Sequence, residues 1–423
     1  MKLILPKPHA GQQIILDQRN KNNVAACGRR FGKTALGKLI LAGKGGVLHG
    51  LPCGWLAPNY RYLAQVWREI VEDFASVIVA QNKTDKFISF IGGGQLEFFS
   101  LENQDAGKSR KFSTVIIDEA ELVKDLEYSW EQAIEPTLLD YDGDSWLLSS
   151  PQGEGYFKTL FDRGQSDDPL FKYWSSWQMP TSANPTIPNI DRLLAEKKIL
   201  LPDLVYQQEY LAQFVDFAGT IIKAEWIKYG TPDPKMVCST SVGVDLAISL
   251  KETACYTAFV CMQATIDGKL WVVDALKKRL PFNETIVELT NFAHKWDADV
   301  VNVESVAYQA AVVQEMVRTT KLNIRPVIPN QGEDKLMRFM ILEPRYKHGL
   351  ISHAPGLIPE FKKDVLGFPS TGENDLPDAF YYAYKGLRMP LKSGVSAGRR
   401  EVNKLIDDNY SRGTGGWGSI GNS

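Results

Sequence analysis

The feature that most constrains this chain is residues 24–34, which read Val-Ala-Ala-Cys-Gly-Arg-Arg-Phe-Gly-Lys-Thr. An apolar run typical of a β-strand leads into a turn that contains glycine, and Lys33 and Thr34 then open a segment with helical character. This order is typical of a loop that surrounds phosphates with backbone N–H groups and a helix N-terminus. The pattern is incomplete, because Cys27 occupies the place of its first glycine and Gly28 follows one residue late. Taken alone, the segment does not establish a phosphate-binding loop, because Gly-Lys-Thr also occurs by chance in unrelated sequences.

Nucleotide hydrolysis is indicated by a second apolar run, residues 114–117, which ends in Asp118 and Glu119. In such a site one carboxylate belongs to the Mg²⁺ shell and the other polarises the attacking water. We therefore predict that Lys33 contacts the β- and γ-phosphates of ATP and that Thr34 binds Mg²⁺. Asp118 then holds the water shell of the metal ion, and Glu119 orients the attacking water. A carboxylate pair stabilised by a helix dipole is the alternative, but the preceding run favours a strand.

Hydrolysis of this kind also requires a cation close to the γ-phosphate in the transition state. Two arginines lie inside the loop, and three further basic residues lie shortly before the acidic pair. The candidates are Arg29, Arg30, Lys108, Arg110 and Lys111. A solvated basic loop is an equally good interpretation for each of them, so the sequence leaves this role open.

A second set of carboxylates lies in the C-terminal half. From residue 241, three strand-like runs are followed by alternating helices and strands, which is the order of the ribonuclease H-like fold. Asp245 and Glu304 end the first and fourth strands, and Asp375 and Asp378 begin the last helix. Because those two strands are neighbours in that fold, we expect the acids to converge on two divalent metal ions that promote phosphodiester cleavage. Carboxylate oxygens suit Mg²⁺ or Mn²⁺, although each acid alone is more often a cap or a surface charge.

Three further residues are weaker candidates near these acids. Asp274 ends the third strand and ranks below the others as a metal ligand. Lys335 and Arg338 lie three residues apart on a predicted helix and are candidates to bind a phosphate, with a solvated helix face as the alternative.

The chain, with 423 residues, is long enough for two domains with full cores. Residues 1–180 read as alternating strands and helices, with a hairpin at 87–100, and predict a P-loop ATPase domain of the α/β class. Residues 181–235 are punctuated by prolines and predict a linker subdomain. Residues 236–390 form the ribonuclease H-like domain, and residues 391–423 are rich in Gly and Ser and predict a flexible tail.

Composition excludes several other classes. The five cysteines are scattered without metal-type pairing, which is typical of a reducing cytoplasm and excludes a structural zinc site. No segment reaches the roughly 18 apolar residues that a membrane span needs. The net charge of −2 supplies no overall attraction to DNA, so any DNA binding must come from local basic faces.

The ordered set of motifs resembles the large terminase subunit of tailed bacteriophages over about residues 5–390. In the first half the similar segments are an adenine-reading glutamine motif at 8–12, a Walker A variant at 28–34, Trp-Leu-Ala-Pro at 55–58, the acidic strand ending in Asp118-Glu119 and a coupling motif at 149–153. In the second half they are three nuclease motifs at 244–247, 303–305 and 374–379. The resemblance implies that Gln12 reads the adenine and that Gly28, Arg29, Arg30 and Gly32 belong to the nucleotide site.

Two departures from the family pattern matter. The chain has Glu373-Asn374-Asp375 where the family often has His-Asp-Asp, so an amide replaces one carboxylate. This leaves Asp375 as the better metal ligand and Asp378 as the second choice. The family's Arg-Gly before the acidic strand is also absent, and Lys108 takes the place of that arginine.

The resemblance implies an ATP-driven motor that moves double-stranded DNA into a procapsid and cuts concatemeric DNA with a metal-dependent endonuclease. The implied partners are a portal protein, on which the motor docks as a homo-oligomeric ring, and a small terminase subunit. The expected setting is the cytoplasm of the host cell, without a membrane. Two alternatives stay open: a helicase-like translocase whose second domain binds DNA without cutting it, and an ATP switch that regulates assembly.

Overall fold

The computed structural model describes most of the chain, with short gaps. The described residues are 3, 5–216, 219, 221–246, 256–305, 309–328, 335–370 and 374–389. The chain divides into two compact units, Met1–Phe217 and Ala218–Ser423. This division falls inside the 181–235 segment that the sequence predicts as a linker. The predicted tail at 391–423 and the motif residues Ala247 and Glu373 lie outside the described residues.

The first unit is built on an eight-stranded sheet in the order β3-β4-β5-β2-β6-β7-β1-β8. Its strands are β1 (Asn22–Cys27), β2 (Pro52–Ala57), β3 (Ile78–Asn82), β4 (Phe87–Phe90), β5 (Gln95–Ser100), β6 (Thr114–Asp118), β7 (Asp144–Ser149) and β8 (Trp174–Met179). The pairs β3–β4 and β4–β5 are antiparallel, and the other neighbouring pairs are parallel. The hairpin at 87–100 is confirmed, whereas β3 and β8 are not predicted, because neither alternates regularly between buried and exposed residues.

The first helix precedes these strands, and the later helices connect them or follow them. They are α1 (Ala10–Asp17), α2 (Lys33–Ala42), α3 (Tyr60–Asp73), α4 (Leu126–Tyr128), α5 (Tyr156–Arg163), α6 (Ile190–Leu200) and α7 (Asp203–Leu211). After α4 the chain continues through a π-helical turn at Ser129–Ile134 and a 3₁₀-helix at Glu135–Tyr141. Among the described residues, no helix combines the length and apolar character that crossing a membrane requires.

Strand β1 shows how the sheet separates two cores. Val24 and Ala26 belong to one apolar cluster, while Ala25 and Cys27 belong to the other. All four side chains are fully buried. Because successive side chains point to opposite faces of a strand, burial on both faces accounts for the continuous apolar run in the sequence. The loop that follows therefore starts from a strand held on both sides.

The second unit is built on a seven-stranded sheet in the order β14-β13-β10-β11-β12-β15-β9. Its strands are β9 (Lys228–Tyr229), β10 (Val237–Asp245), β11 (Thr257–Thr265), β12 (Leu270–Lys278), β13 (Val300–Glu304), β14 (Ile324–Val327) and β15 (Ile351–His353). Strands β10, β11 and β12 form an antiparallel meander, and β13 and β14 add to β10 in parallel. This is the strand order of the ribonuclease H-like fold, and β10 and β13 are neighbours as expected. Strands β15 and β9, which are not predicted, extend the sheet beyond β12.

The last helix of this unit lies directly on the sheet. The helices are α8 (Phe282–Lys295), α9 (Gln309–Thr319), α10 (Lys335–Met340), α11 (Glu343–Lys347), α12 (Pro359–Gly367) and α13 (Asp375–Gly386). A Cβ on Gly243 would lie 2.0 Å from Ala379 O and 2.2 Å from Ala383 N, so only glycine permits this approach. Asn302 Nδ2 also donates to Tyr382 O at 3.1 Å. The helix that begins with the predicted acidic pair is thereby held against β10 and β13.

Candidate functional sites

The loop between β1 and α2 shows why glycine stands at position 28. A Cβ on Gly28 would lie 2.6 Å from Thr181 Oγ1 and 2.8 Å from Tyr210 O, so a larger residue would displace its neighbours. Gly32 has a φ of 104°, which L side chains rarely adopt, and α2 begins at Lys33. Close packing against residues 181–210 therefore explains why the glycine stands at position 28 and not at position 27.

The predicted catalytic residues of the first unit come together where β1, β7 and β6, which are neighbours, end. Lys33 Nζ donates to Ser150 Oγ at 2.9 Å and lies 3.4 Å from Glu119 Oε1. Thr34 Oγ1 donates to Asp118 Oδ2 at 3.4 Å. Because the carboxyl ends of parallel strands share one edge of a sheet, residues far apart in the sequence form one polar site here.

Asp118 is buried, and its Oδ1 atom has no hydrogen-bond partner among the described residues. Burial raises the pKa of this carboxyl to about 7, with Glu119 also acting to raise it while Lys33 and Thr34 act to lower it. An unpaired carboxylate oxygen beside a threonine hydroxyl supplies the hard oxygen ligands that Mg²⁺ prefers. The residues present therefore fit a Mg²⁺ ion at this point.

Glu121 is a residue of this site that the sequence analysis misses. Its backbone N–H donates to Ser149 Oγ at 3.1 Å, and its Oε2 atom is buried without a partner in the described part of the chain. Burial raises the pKa of this carboxyl to about 8. Ser149 thus contacts the segment after the acidic pair, while Ser150 contacts Lys33. The coupling motif implied by the resemblance therefore touches both sides of the site.

Gln12 lies beside the loop and is hydrogen-bonded to it. It is buried, its Nε2 donates to Gly32 O at 3.0 Å, and its Oε1 accepts from the His9 N–H at 3.1 Å. The implied contact with adenine must therefore use the remaining donor or acceptor positions of this amide.

The basic candidates near the loop differ in their partners. Four of them form ion pairs: Arg29 with Glu209, Lys108 with Asp105, Arg110 with Glu97 at 2.8 Å, and Lys111 with Asp140 at 2.7 Å. The guanidinium of Arg30 has no hydrogen bond or ion pair within the described part of the chain. Arg30 is also exposed and has a φ of 65°. It is therefore the candidate cation that is available to a ligand.

The carboxylates predicted for the second unit also come together. Burial raises the pKa of Asp245 well above its ordinary value, and Asp378, Glu304 and Asp375 raise it further, in that order of strength. Burial likewise raises the pKa of Asp378, with an additional contribution from Glu304. Asp245 and Glu304 directly follow the paired residues Val244 and Val303 on neighbouring strands. The side chain of Asp378 is 6% exposed and that of Asp375 is 29% exposed, so Asp378 is the more deeply buried of the two.

Each acid at the start of α13 is paired with a lysine. Lys335 Nζ lies 2.6 Å from Asp378 Oδ2. Lys277 Nζ, which is nearly buried, lies 3.4 Å from Asp375 Oδ2 and 3.1 Å from Asp364 Oδ2. Carboxylate oxygens suit Mg²⁺ or Mn²⁺, but no group of three or more His, Cys, Asp or Glu is arranged to hold a metal ion among the described residues.

Two of the weaker candidates, Asp274 and Arg338, form hydrogen bonds with residues other than the predicted metal ligands. Asp274 Oδ2 accepts from Lys295 Nζ at 2.6 Å and from Trp296 Nε1 at 2.8 Å, so it is bound to the end of α8. Arg338 is buried, and its Nη1 donates to Tyr382 Oη at 3.0 Å. A solvated helix face is therefore the wrong interpretation for Arg338.

Sequence comparisons identify relatives of the chain among viral proteins. No protein-family profile matches it. The terminase large subunit of Thermus virus P23-45 is 26% identical over 253 residues, which cover 51% of this chain and 50% of that protein. The terminase large subunit of Escherichia phage T5 is 27% identical over 169 residues, which cover 39% and 38%. The chain is similar in sequence to phage terminase large subunits. It thus spans about half the length of the Thermus virus relative, and less of the T5 relative.

A solved large terminase is similar in fold to this chain. The large terminase of a thermophilic bacteriophage matches with a TM-score of 0.55 and 14% identity, over 89% of this chain and 98% of that one. The same phage protein in complex with ATP-gamma-S matches with a TM-score of 0.53, 14% identity and coverages of 90% and 100%. At this identity the likeness shows the fold alone. The predicted fold class, a P-loop ATPase fold joined to a ribonuclease H-like nuclease fold, is confirmed.

Proposed function

We propose that this chain is the motor and nuclease subunit of a viral DNA-packaging machine, which hydrolyses ATP to move double-stranded DNA and cuts that DNA. The observation that carries the proposal is the convergence of Lys33, Thr34, Asp118 and Glu119 at one edge of the first sheet. The relation to terminase large subunits supplies the biological setting, and the ATP-gamma-S complex of the thermophilic phage protein supports ATP as the ligand.

In the proposed hydrolysis, Lys33 leaves Ser150 and Glu119 when the β- and γ-phosphates enter the loop. Thr34 and Asp118 would hold Mg²⁺, which would neutralise negative charge on these phosphates when bound. Glu119, released from its ion pair, accepts a hydrogen bond from the attacking water and orients it.

Arg30 is the proposed cation at the γ-phosphate, because its side chain has no other partner among the described residues. We expect Arg30→Ala to lower ATP turnover by about 10³-fold while ATP still binds, as for other residues with this role. Arg29→Ala is the matched control, since Arg29 is paired with Glu209. Steady-state ATPase assays on both variants decide the assignment, and an Arg29→Ala defect as large as that of Arg30→Ala would contradict it.

In the proposed nuclease, the carboxylates of the second unit would hold divalent metal ions, and Mg²⁺ or Mn²⁺ would supply charge stabilisation for phosphodiester cleavage when bound. Asp245, Glu304 and Asp378 are the proposed core of this site, with Asp375 beside them. This ranking reverses the order of the two acids predicted from the sequence, because the side chain of Asp378 is 6% exposed whereas that of Asp375 is 29% exposed.

The domain roles and partners belong to the same proposal. Residues 1–180 act as the motor domain, residues 236–390 act as the nuclease domain, and residues 181–235 connect them. A portal protein, a small terminase subunit and a ring of identical subunits complete the proposed machine, which works during assembly in the host cell.

Supercoiled plasmid and purified protein test the proposal together. We expect Mn²⁺-dependent nicking that a chelator abolishes, and ATP hydrolysis that double-stranded DNA stimulates. DNA-stimulated hydrolysis without nicking would favour the helicase-like translocase, and hydrolysis that DNA does not stimulate would favour the ATP switch.

A further inference from the structure

The outer side of the phosphate loop is held by hydrogen bonds from other parts of the first unit. Four consecutive loop carbonyls take part. Thr181 Oγ1 donates to Arg29 O at 2.7 Å, Asn184 Nδ2 donates to Arg30 O at 2.7 Å, His9 Nε2 lies 2.9 Å from Phe31 O, and Gln12 Nε2 donates to Gly32 O at 3.0 Å. We call these four side chains the outer brace.

The outer brace orients backbone N–H groups of the loop toward its opposite side. In a trans peptide group the C=O and the following N–H point in opposite directions. The carbonyls of Arg29, Phe31 and Gly32 therefore direct the N–H groups of the next residues away from the brace, and Gly32 O is held in addition by the Leu36 N–H at 2.9 Å. Phe31 N–H bonds Gly28 O at 3.1 Å, but those of Arg30, Gly32 and Lys33 have no acceptor among the described residues. Successive inward N–H groups of this kind form an anion-binding concavity.

The loop has a particular need for such support. Cys27 replaces the first glycine of the usual pattern, and Arg30 has a φ of 65°, a conformation that L side chains rarely adopt. Residues in such conformations persist when surrounding contacts determine them strongly. Asn184 contacts the carbonyl of the strained residue itself, and its Oδ1 accepts from the N–H and hydroxyl of Thr186 at 3.0 and 2.6 Å. The orientation of its amide is therefore fixed.

We propose that Thr181 and Asn184 are positioning residues of the nucleotide site. Thr181 holds Arg29 O and so keeps the Arg30 N–H directed at the phosphates of ATP, while Asn184 holds the strained turn at Arg30 on which the neighbouring N–H groups depend. Both are buried, at 2% and 7% relative exposure, and both belong to the segment that the sequence predicts as a linker. The inference rests on the proposed function of the loop as an ATP site. It adds two residues that act on ATP through the backbone, without touching it.

The test compares three threonine variants in the full chain. Thr181→Val keeps the shape and removes the hydroxyl, while Thr181→Ser keeps the hydroxyl. Thr137→Val is the matched control, because Thr137 is also buried in this unit and donates at 2.6 Å to a backbone carbonyl, that of Ile134, outside the loop. The readouts are the Kd of a fluorescent ATP analogue with Mg²⁺, and the KM and kcat of hydrolysis.

We expect Thr181→Val to raise Kd and KM by about fivefold to tenfold, the effect of one lost hydrogen bond, with kcat within about twofold. Thr181→Ser should restore both constants. A substitution that weakens ATP binding in the ground state and the transition state equally raises KM alone. A substitution that only lowers the folded fraction reduces the apparent kcat and leaves KM unchanged. We expect the second result for Thr137→Val if this variant is destabilised.

Asn184→Asp provides a second variant, because it keeps the acceptor for Thr186 and removes the donor to Arg30 O. We expect its KM to exceed that of Thr181→Val. The inference would be overturned, and the proposed function left standing, if Thr181→Val and Asn184→Asp both bound the analogue with wild-type affinity. The same would follow if Thr181→Ser bound the analogue as weakly as Thr181→Val. Failure of the wild-type protein to bind the analogue would instead overturn the proposed function.

Discussion

The two acidic sites neutralise their carboxylates in different ways. In the first unit, Glu119 pairs with Lys33, which belongs to the proposed phosphate loop. In the second unit, Asp378 pairs with Lys335, which comes from a separate helix, α10. A phosphate that binds Lys33 competes directly with Glu119, so ATP itself would release the carboxylate that orients water. At the second site, Lys335 occupies Oδ2 of Asp378, so a metal ion proposed there would share this carboxylate with a lysine or replace it.

Unpaired atoms sharpen this contrast. In the first site, Asp118 Oδ1 and Glu121 Oε2 are buried without partners among the described residues. In the second site, the acids at the start of α13 both have lysine partners. The first site is thus arranged to receive a cation, whereas lysines already occupy part of the second. If the two sites act independently, a substitution in one site should abolish the activity of that site and leave the activity of the other unchanged.

The largest expected effect concerns the second site. Asp245→Ala should reduce plasmid nicking below detection, because Asp245 stands at the centre of the acidic cluster, while ATP hydrolysis stays within about twofold of wild type. Gel assays of supercoiled plasmid with Mn²⁺ measure the first effect and steady-state ATPase assays the second. Asp274→Asn is the control, because Asp274 is bound to Lys295 and Trp296, and it should nick normally. An equal loss of both activities in Asp245→Ala would mean that the sites are not independent.

The next effect concerns the first site. Glu119→Gln should lower ATP turnover by about 10²-fold or more, the usual contribution of a residue that activates water. Lys33, Thr34 and Asp118 are unchanged, so ATP binding should be retained, and plasmid nicking should be unaffected. Single-turnover hydrolysis and equilibrium binding of ATP-gamma-S measure the two quantities. Near-normal turnover in this variant would assign the water to another carboxylate, with Glu121 the nearest candidate in the sequence.

A smaller difference separates the two acids at the start of α13. Asp378→Asn should impair nicking about tenfold more than Asp375→Asn, because the side chain of Asp378 is more deeply buried, at 6% exposure against 29%, and so lies deeper in the proposed metal site. Thermal melts should show that both variants fold. If Asp375→Asn is inactive while Asp378→Asn nicks like wild type, the order predicted from the sequence is the right one.

Much of the fold and both acidic clusters could be predicted because their signals are local. An apolar strand followed by Lys33 and Thr34 predicts a loop and a helix without knowledge of the rest of the chain. Asp245 and Glu304 are assigned to one site by strand order, since parallel neighbours bring their carboxyl ends to one edge. In each case a few adjacent residues carry the pattern, and the sheet topology supplies the remaining geometry.

The features that the sequence does not predict depend on contacts between distant residues. Thr181 bonds the loop across 152 positions, from a segment whose prolines indicate a linker. The choice among the basic candidates likewise depends on remote carboxylates, since Arg29 is paired with Glu209, 180 positions away. Glu121 has a local signal, a third acid after the pair, but only its burial distinguishes it from a surface residue.

The smallest expected effect tests the unpaired acid of the first site. Burial raises the pKa of Glu121 from an ordinary value of 4.5 to about 8. The folded state therefore holds this proton more tightly than the unfolded state, and the free energy of unfolding should fall as pH rises from about 4.5 to about 8. Glu121→Gln lacks this titration, so its stability relative to wild type should increase between pH 5 and pH 8. Because Glu121 is only partly buried, we expect about 1 kcal/mol, or about 2–4 °C in Tm. Glu127→Gln, at an exposed position of α4, is the control for removal of a carboxylate. A profile for Glu121→Gln no steeper than that of this control would mean that the Glu121 carboxyl is solvated or paired.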